Sequence, residues 1–61
     1  MVKWRVEYVR YGNGKDWVFF TANEVVIWKD PNNPHNRDCV LADGVIVDMQ
    51  YPCVKVEALH R

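Results

Sequence analysis

The sequence predicts a small all-β protein, and three observations support that class. Asn13-Gly14 and Asp43-Gly44 each lie between runs of β-branched and aromatic residues. A type I′ turn requires positive φ at both central positions, and Asn-Gly and Asp-Gly adopt it at low cost. Residues 2–8 alternate apolar and charged side chains, which is typical of a strand with one solvated face. We therefore expect two tight antiparallel hairpins.

Length and composition limit the size of the core. The chain has 61 residues, of which 49% are hydrophobic, and it contains three Trp, three Tyr and two Phe. A domain of this size buries only about 60% of its unfolded surface. Residues 1–61 are thus expected to form a single small β domain whose interior cannot enclose all eight aromatic rings.

The charge balance bears on partners and on location. Eight basic and eight acidic residues give a formal net charge of zero, which is atypical of a dedicated non-specific nucleic-acid binder. No apolar stretch approaches the ~20 residues of a membrane span, and residues 2–11 do not form the apolar region of a signal peptide. We expect a cytoplasmic protein without membrane contact. Cys39 and Cys53 are expected to be reduced there, whereas an oxidising compartment would allow a disulfide between them.

The first hairpin is predicted to pair residues 2–11 with residues 16–21. A two-residue turn at Asn13-Gly14 makes these residues face each other: Tyr11 and Asp16, Arg10 and Trp17, Tyr8 and Phe19, Val6 and Thr21. The expected core face then consists of Trp4, Val6, Tyr8, Trp17 and Phe19. The reverse face carries Lys3, Arg5, Glu7, Val9, Val18 and Phe20. A one-residue slip would reverse this sorting, so the pattern favours this register.

Residues 22–29 allow two interpretations. Thr21-Ala-Asn-Glu24 matches a capping box, which would begin a short helix from Ala22 to Lys29. The run Val25-Val-Ile-Trp28 is β-branched and aromatic, and such residues suit a pleated strand. We favour a strand over residues 24–29.

The remaining chain contains one long loop, a second hairpin and a last strand. Residues 30–38 are polar apart from two prolines and are predicted to form the loop. Around Asp43-Gly44 the expected opposite pairs are Ala42 and Val45, Leu41 and Ile46, Val40 and Val47, Cys39 and Asp48. The apolar face of this hairpin would hold Val40, Ala42, Val45, Val47 and Met49. Residues 54–58 alternate again, with Val54, Val56 and Ala58 on the core side, and residues 59–61 are expected to fray.

Five or six short strands with one core face each indicate two related architectures. The first is a small antiparallel barrel of the SH3-like or OB-like kind, and the second is a curled meander built from the two hairpins.

The main functional hypothesis is an exposed apolar surface on the reverse side of the hairpins. Contiguous apolar area beyond a few hundred Å² is typical of an interface. We expect a non-enzymatic interaction module that binds a protein partner or itself, with a homo-oligomer favoured. Its predicted contact residues are Phe20, Leu41, Ile46, Val18 and Trp28, with Arg5 and Glu7 as the polar rim. Compact, neutral, motif-free chains of this kind are often encoded by phages or mobile elements, where binding a host factor is a sufficient function.

The alternative hypothesis is a nucleic-acid-binding small barrel. Aromatic stacking with flanking cations is how such barrels hold single strands. The cations available for this role are Arg5, Arg10, Lys15 and Lys29. The predicted register places most of the aromatic rings in the core, and this favours the interaction module.

Catalytic, metal-binding and cofactor motifs are lacking in the sequence. Asp30, His35 and Asp38 share the long loop and would offer a metal or acid–base group, but turn-forming loops commonly have this composition. His60 lies close to the end of the chain. A catalytic oligomer that pools His35, Tyr51 or Asp48 around a central pore is a third hypothesis. We expect no catalytic residue, no metal and no cofactor.

Overall fold

The computed structural model describes residues 1–12, 14–29, 31–32 and 37–60. It contains the following strands: β1 (Val2–Arg10), β2 (Gly14–Ala22), β3 (Val25–Trp28), β4 (Cys39–Ala42), β5 (Val45–Asp48) and β6 (Cys53–His60). The described chain contains no helix, and hence none long and apolar enough to cross a membrane. The predicted all-β class is confirmed.

The strands form two three-stranded antiparallel sheets. The first sheet has the order β2-β1-β6 and the second has the order β3-β4-β5. The described strands do not close into a barrel, so the SH3-like and OB-like arrangements are not found. The architecture is the other predicted one, a small meander of hairpins.

The core lies between the two sheets. Val6 on the middle strand of the first sheet and Val40 on the middle strand of the second are both fully buried. Ala22, Val25 and Cys53 complete the buried cluster. The partly buried side chains packed against it are Trp4, Tyr8, Val18, Phe20, Ile27, Ala42, Met49 and Val56. The shortest dimension of the Cα trace is 12 Å, as expected for two sheets separated by one layer of side chains.

The second hairpin has the predicted register. Ala42 lies opposite Val45 and Leu41 lies opposite Ile46, and the pairing continues to Cys39 and Asp48. Asp43 has a φ of 50° and Gly44 a φ of 82°, the positive values that a two-residue turn of this class requires. One detail is wrong: Val45, expected in the core, is 64% exposed because it lies at the turn end of an edge strand.

The first hairpin has a different register from the predicted one. Arg10 lies opposite Gly14 and Val6 lies opposite Val18, so positions 11–13 separate the strands. Asn13 itself lies outside the described residues. The pairing is shifted from the predicted one by three positions. Because successive side chains of a strand point to opposite faces, a shift by an odd number exchanges the inward and outward residues of β2. Trp17 and Phe19, predicted in the core, therefore face outward, whereas Val18 and Phe20 face inward.

Residues 21–24 do not begin a helix. The backbone N–H groups of Asn23 and Glu24 donate to the carboxylate of Asp43 at 3.0 and 2.9 Å, and the Asp43 N–H donates to the Glu24 carbonyl at 2.9 Å. Val25–Trp28 then pairs with β4 along its whole length. The favoured strand interpretation is confirmed.

The last strand is longer than predicted, and its first residues face the opposite way from the predicted one. Glu7 lies opposite Lys55 but Tyr8 lies opposite Cys53, so a register shift leaves Val54 out of the regular pairing. Cys53 is consequently buried, and Val54, predicted in the core, is 47% exposed. The expected fraying of residues 59–60 is wrong, because β6 extends to His60, opposite Lys3. Ala58 is also exposed, in contrast to its predicted core position.

Candidate functional site

The outer side of the second sheet is an apolar surface. Residues directly opposite in neighbouring strands share a face, and Val26, Leu41 and Ile46 form one such row across the sheet. Trp28 and Cys39 begin the next row, which ends at the exposed carboxylate of Asp48 on β5. Val26 and Trp28 are each 40% exposed and Ile46 is 61% exposed. We call the five apolar residues of these two rows the apolar face: Val26, Trp28, Cys39, Leu41 and Ile46.

The apolar face contains only part of the predicted contact surface. Leu41, Ile46 and Trp28 are brought together as expected. Val18 and Phe20 are not on it, because the changed register of β2 directs them into the core. Arg5 and Glu7 are also absent from it, since they lie on the outer side of the first sheet. They cannot serve as its polar rim, because the two outer sides point in opposite directions.

The outer side of the first sheet carries aromatic and charged side chains in alternation. Its aromatic residues are Trp17 and Phe19, which are 47% and 54% exposed. The strand pairings place these charged residues around them: Lys3, Arg5, Glu7, Lys15, Lys55 and Glu57. We call this set the aromatic–cationic face. Sequence reasoning missed it because the predicted register hid both aromatic rings.

Contacts within the aromatic–cationic face hold its side chains in place. The Trp17 Nε1–H donates to Glu7 Oε1 at 3.1 Å, and the Lys3 ammonium lies 5.2 Å from the centre of the Phe19 ring. Arg5 Nη2 lies 2.6 Å from Glu57 Oε1. These pairs fix the tilt of the indole and place a cation over the Phe19 ring.

Glu57 remains ionised near neutral pH. Its pKa lies below the ordinary value because Lys55 donates a hydrogen bond to it, with the positive charges of Arg5 and Lys55 adding to the effect. The negative charge of Glu57 is therefore balanced by the positive charges of Arg5 and Lys55 on the same face.

The four cations of the nucleic-acid hypothesis do not converge on one surface. Arg5 and Lys15 lie on the aromatic–cationic face. Arg10 lies at the turn end of β1, where its guanidinium is 3.2 Å from the Asp16 carboxylate. Lys29 bonds to Asp38 at 2.7 Å, beyond the end of β3.

Asp38 is a structural junction between the sheets. Its side chain is almost fully buried, and its Oδ2 accepts hydrogen bonds from Lys29 Nζ and from the Cys53 backbone N–H, both at 2.7 Å. The Asp38 N–H donates to the Tyr51 carbonyl at 3.2 Å. These two interactions of the carboxylate, within the described residues, are both internal, which favours a structural role over a catalytic one.

The other candidate chemical residues are scattered in the described chain. Asp30 and His35 lie outside the described residues. Tyr51 stacks on Tyr8 with ring centres 5.4 Å apart, and the Asp48 carboxylate accepts the Gln50 N–H at 3.0 Å. Among residues 1–12, 14–29, 31–32 and 37–60, no group of three His, Cys, Asp or Glu is placed to hold a metal ion, and no pocket is found.

Cys53 is a buried thiol whose reactivity can be tested. Cys39 and Cys53 are not joined by a disulfide. Burial raises the pKa of Cys53 to about 11, and the nearby Asp38 charge contributes. Since the thiolate is the nucleophile, we expect iodoacetamide at pH 8 to modify folded Cys39→Ala protein, whose remaining thiol is Cys53, far more slowly than unfolded protein. Mass spectrometry against time measures this, and equal rates in the folded and unfolded states would contradict it.

The same pKa implies a fall in stability at alkaline pH. Unfolded Cys53 ionises around its ordinary value of 9.0, whereas folded Cys53 retains its proton up to about 11. The contribution of the buried neutral thiol is fully present below pH 9 and is lost as the pH rises towards 11.

Comparison with known proteins gives no relative for this chain. No protein family, no curated protein and no solved structure matches it.

Proposed function

We propose that this chain is a small interaction module that associates with a second copy of itself through the apolar face. The observation that carries the proposal is the exposure of Val26, Trp28 and Ile46 around Leu41 on one side of a sheet. An apolar surface that continues across three strands is larger than the single exposed residues common on monomers.

Three properties favour a second copy as the occupant. The net charge of the chain is zero, so two copies do not repel each other at long range. An apolar patch on one side of a sheet can pack against the same patch of a second copy across a twofold axis, the commonest symmetry of soluble oligomers. The interior is also small, with five buried hydrophobic residues in the described chain, so apolar burial between copies adds substantially to the core.

A charge placed on the apolar face tests the proposal. We expect wild-type protein to show a mass that rises with concentration towards that of a dimer. Ile46→Lys should remain monomeric over the same range, because the added ammonium would have to be desolvated in the interface. Sedimentation velocity and light scattering measure both, and we expect the dimer dissociation constant to rise at least tenfold. The double variant Leu41→Asp, Ile46→Lys should abolish association, provided that its circular dichroism shows a fold.

Val54→Lys is the matched control. Val54 is also an exposed β-branched residue, and it lies on β6, a strand of the other sheet. This variant should associate like wild type. A monomeric wild type at every concentration would overturn self-association, and equal effects of the two lysine variants would overturn the assignment to this face.

A further inference from the structure

Two large aromatic side chains lie exposed at alternate positions of β2. Trp17 and Phe19 are about half exposed and project from the same side of the strand. Alternate residues of a strand are about 7 Å apart, so the two rings offer successive stacking surfaces along one line. Their inward neighbours Val18 and Phe20 already supply the core, so burial between the sheets does not explain the aromatic character of positions 17 and 19.

Cations surround the two rings. Lys3 and Arg5 lie beside Phe19, Lys15 precedes Trp17 along the strand, and Lys55 lies across β1. These four cations share the face with two carboxylates, Glu7 and Glu57, which leaves a surplus of two positive charges. A neutral chain therefore carries a local positive field on this side.

The two carboxylates are occupied by contacts within the face. Glu57 bonds to Arg5 and Lys55, and Glu7 accepts the Trp17 indole N–H. No ion pair within the described chain involves Lys3 or Lys15. Neither ammonium is paired with a carboxylate, so both can meet an anionic ligand; the Lys3 ammonium, which lies over the Phe19 ring, would move to a phosphate when a base stacks on that ring.

We propose that the aromatic–cationic face binds single-stranded nucleic acid. Two successive bases stack on Trp17 and Phe19, and the adjoining phosphates are held by Lys3 and Lys15, with Arg5 contributing between them. Stacking on aromatic rings combined with a cationic track is the general means of holding a single strand without sequence preference. This site is separate from the proposed self-association, because it lies on the opposite side of the molecule.

The geometry favours a single strand over other polyanions. The bases of a duplex are paired and stacked on one another, so their flat surfaces cannot reach aromatic rings on the outer side of a sheet. A flexible acidic peptide would satisfy the lysines but would leave both aromatic rings without a stacking partner. The rings therefore specify the ligand class, and the cations increase its affinity.

Fluorescence anisotropy with a labelled oligo(dT) of about 12 nucleotides tests the proposal at low salt. Trp17→Ala and Phe19→Ala are each expected to weaken binding at least tenfold, whereas Trp17→Phe, which keeps a ring, should remain within about threefold of wild type. Tyr11→Ala is the matched control, since Tyr11 is an exposed aromatic outside the face. Circular dichroism checks the fold of each variant.

Salt dependence and competing ligands complete the test. The slope of log Kd against log salt should be about 2 for three phosphate contacts and should fall by about 0.7 in Lys15→Gln. Oligo(rU) should bind like oligo(dT), whereas a duplex and polyglutamate should bind at least tenfold more weakly. No binding of oligo(dT) at low salt, equal binding of the duplex, or an unchanged Kd in Trp17→Ala would overturn the proposal.

Discussion

Asp38→Ala is expected to destabilise the fold strongly. The substitution leaves the buried N–H of Cys53 without its acceptor and releases Lys29. An unsatisfied buried donor costs about 1–3 kcal/mol, and the mainly exposed Lys29 adds up to about 1 kcal/mol. We expect a total loss of about 3 kcal/mol, compared with a whole-domain stability of roughly 3–9 kcal/mol for a chain of this length. Urea denaturation followed by tryptophan fluorescence measures it.

Two further variants separate the interactions of Asp38. Asp38→Asn keeps an oxygen for the Cys53 N–H but loses the charge and exchanges the second oxygen for an NH2 group, so it should cost about 1 kcal/mol. Asp48→Ala is the control for a carboxylate that accepts a single exposed N–H. A loss in Asp38→Ala no larger than that in Asp48→Ala would show that the buried junction does not hold the sheets together.

The second sheet was predictable from the sequence because its signals are local. Asp43-Gly44 allows one tight turn, and a two-residue turn sets the register of every later pair. Leu41 and Ile46 follow from that turn, which is why this part of the apolar face was predicted correctly. Trp28 lies on the same face as Leu41 and Ile46 because Val25–Trp28 forms a strand, as its β-branched and aromatic residues indicate.

The first hairpin was not predictable to the same degree. Positions 17–20 are apolar on both sides of the strand, so the hydrophobic pattern does not choose between registers. Gly12 and Gly14 both have positive φ, and the strands separate at Arg10 and Gly14. The actual register, three positions from the predicted one, exposes Trp17 and Phe19. The predicted register placed both rings in the core, so the sequence did not indicate the aromatic–cationic face.

The role of Asp38 was also hidden, for a different reason. It depends on contacts with Lys29, which follows β3, and with Cys53, the first residue of β6. A polar loop containing Asp and Pro is equally compatible with a solvated turn. Only the packing of the two sheets brings the three residues together.

Asp43→Ala is expected to disrupt the connection between the two sheets, because Asp43 performs two tasks. Its carboxylate accepts the N–H groups of Asn23 and Glu24, where the chain passes from β2 to β3. Its backbone has a φ of 50°, a conformation that Asp tolerates better than Ala. We expect a loss of about 2–3 kcal/mol, of which about 1 kcal/mol arises from the backbone.

Asn and Gly at position 43 distinguish the two tasks. Asp43→Asn keeps both an acceptor oxygen and the tolerance of positive φ, so its stability should lie within about 1 kcal/mol of wild type. Asp43→Gly keeps the backbone freedom but has no acceptor, so it should fall between Asn and Ala. Thermal and urea denaturation of the three variants gives the order, which we expect to be Asn, then Gly, then Ala. Equal stability of the Gly and Asn variants would mean that the carboxylate does not stabilise the β2–β3 connection. The conformation of the turn alone would then account for the contribution of Asp43 to stability.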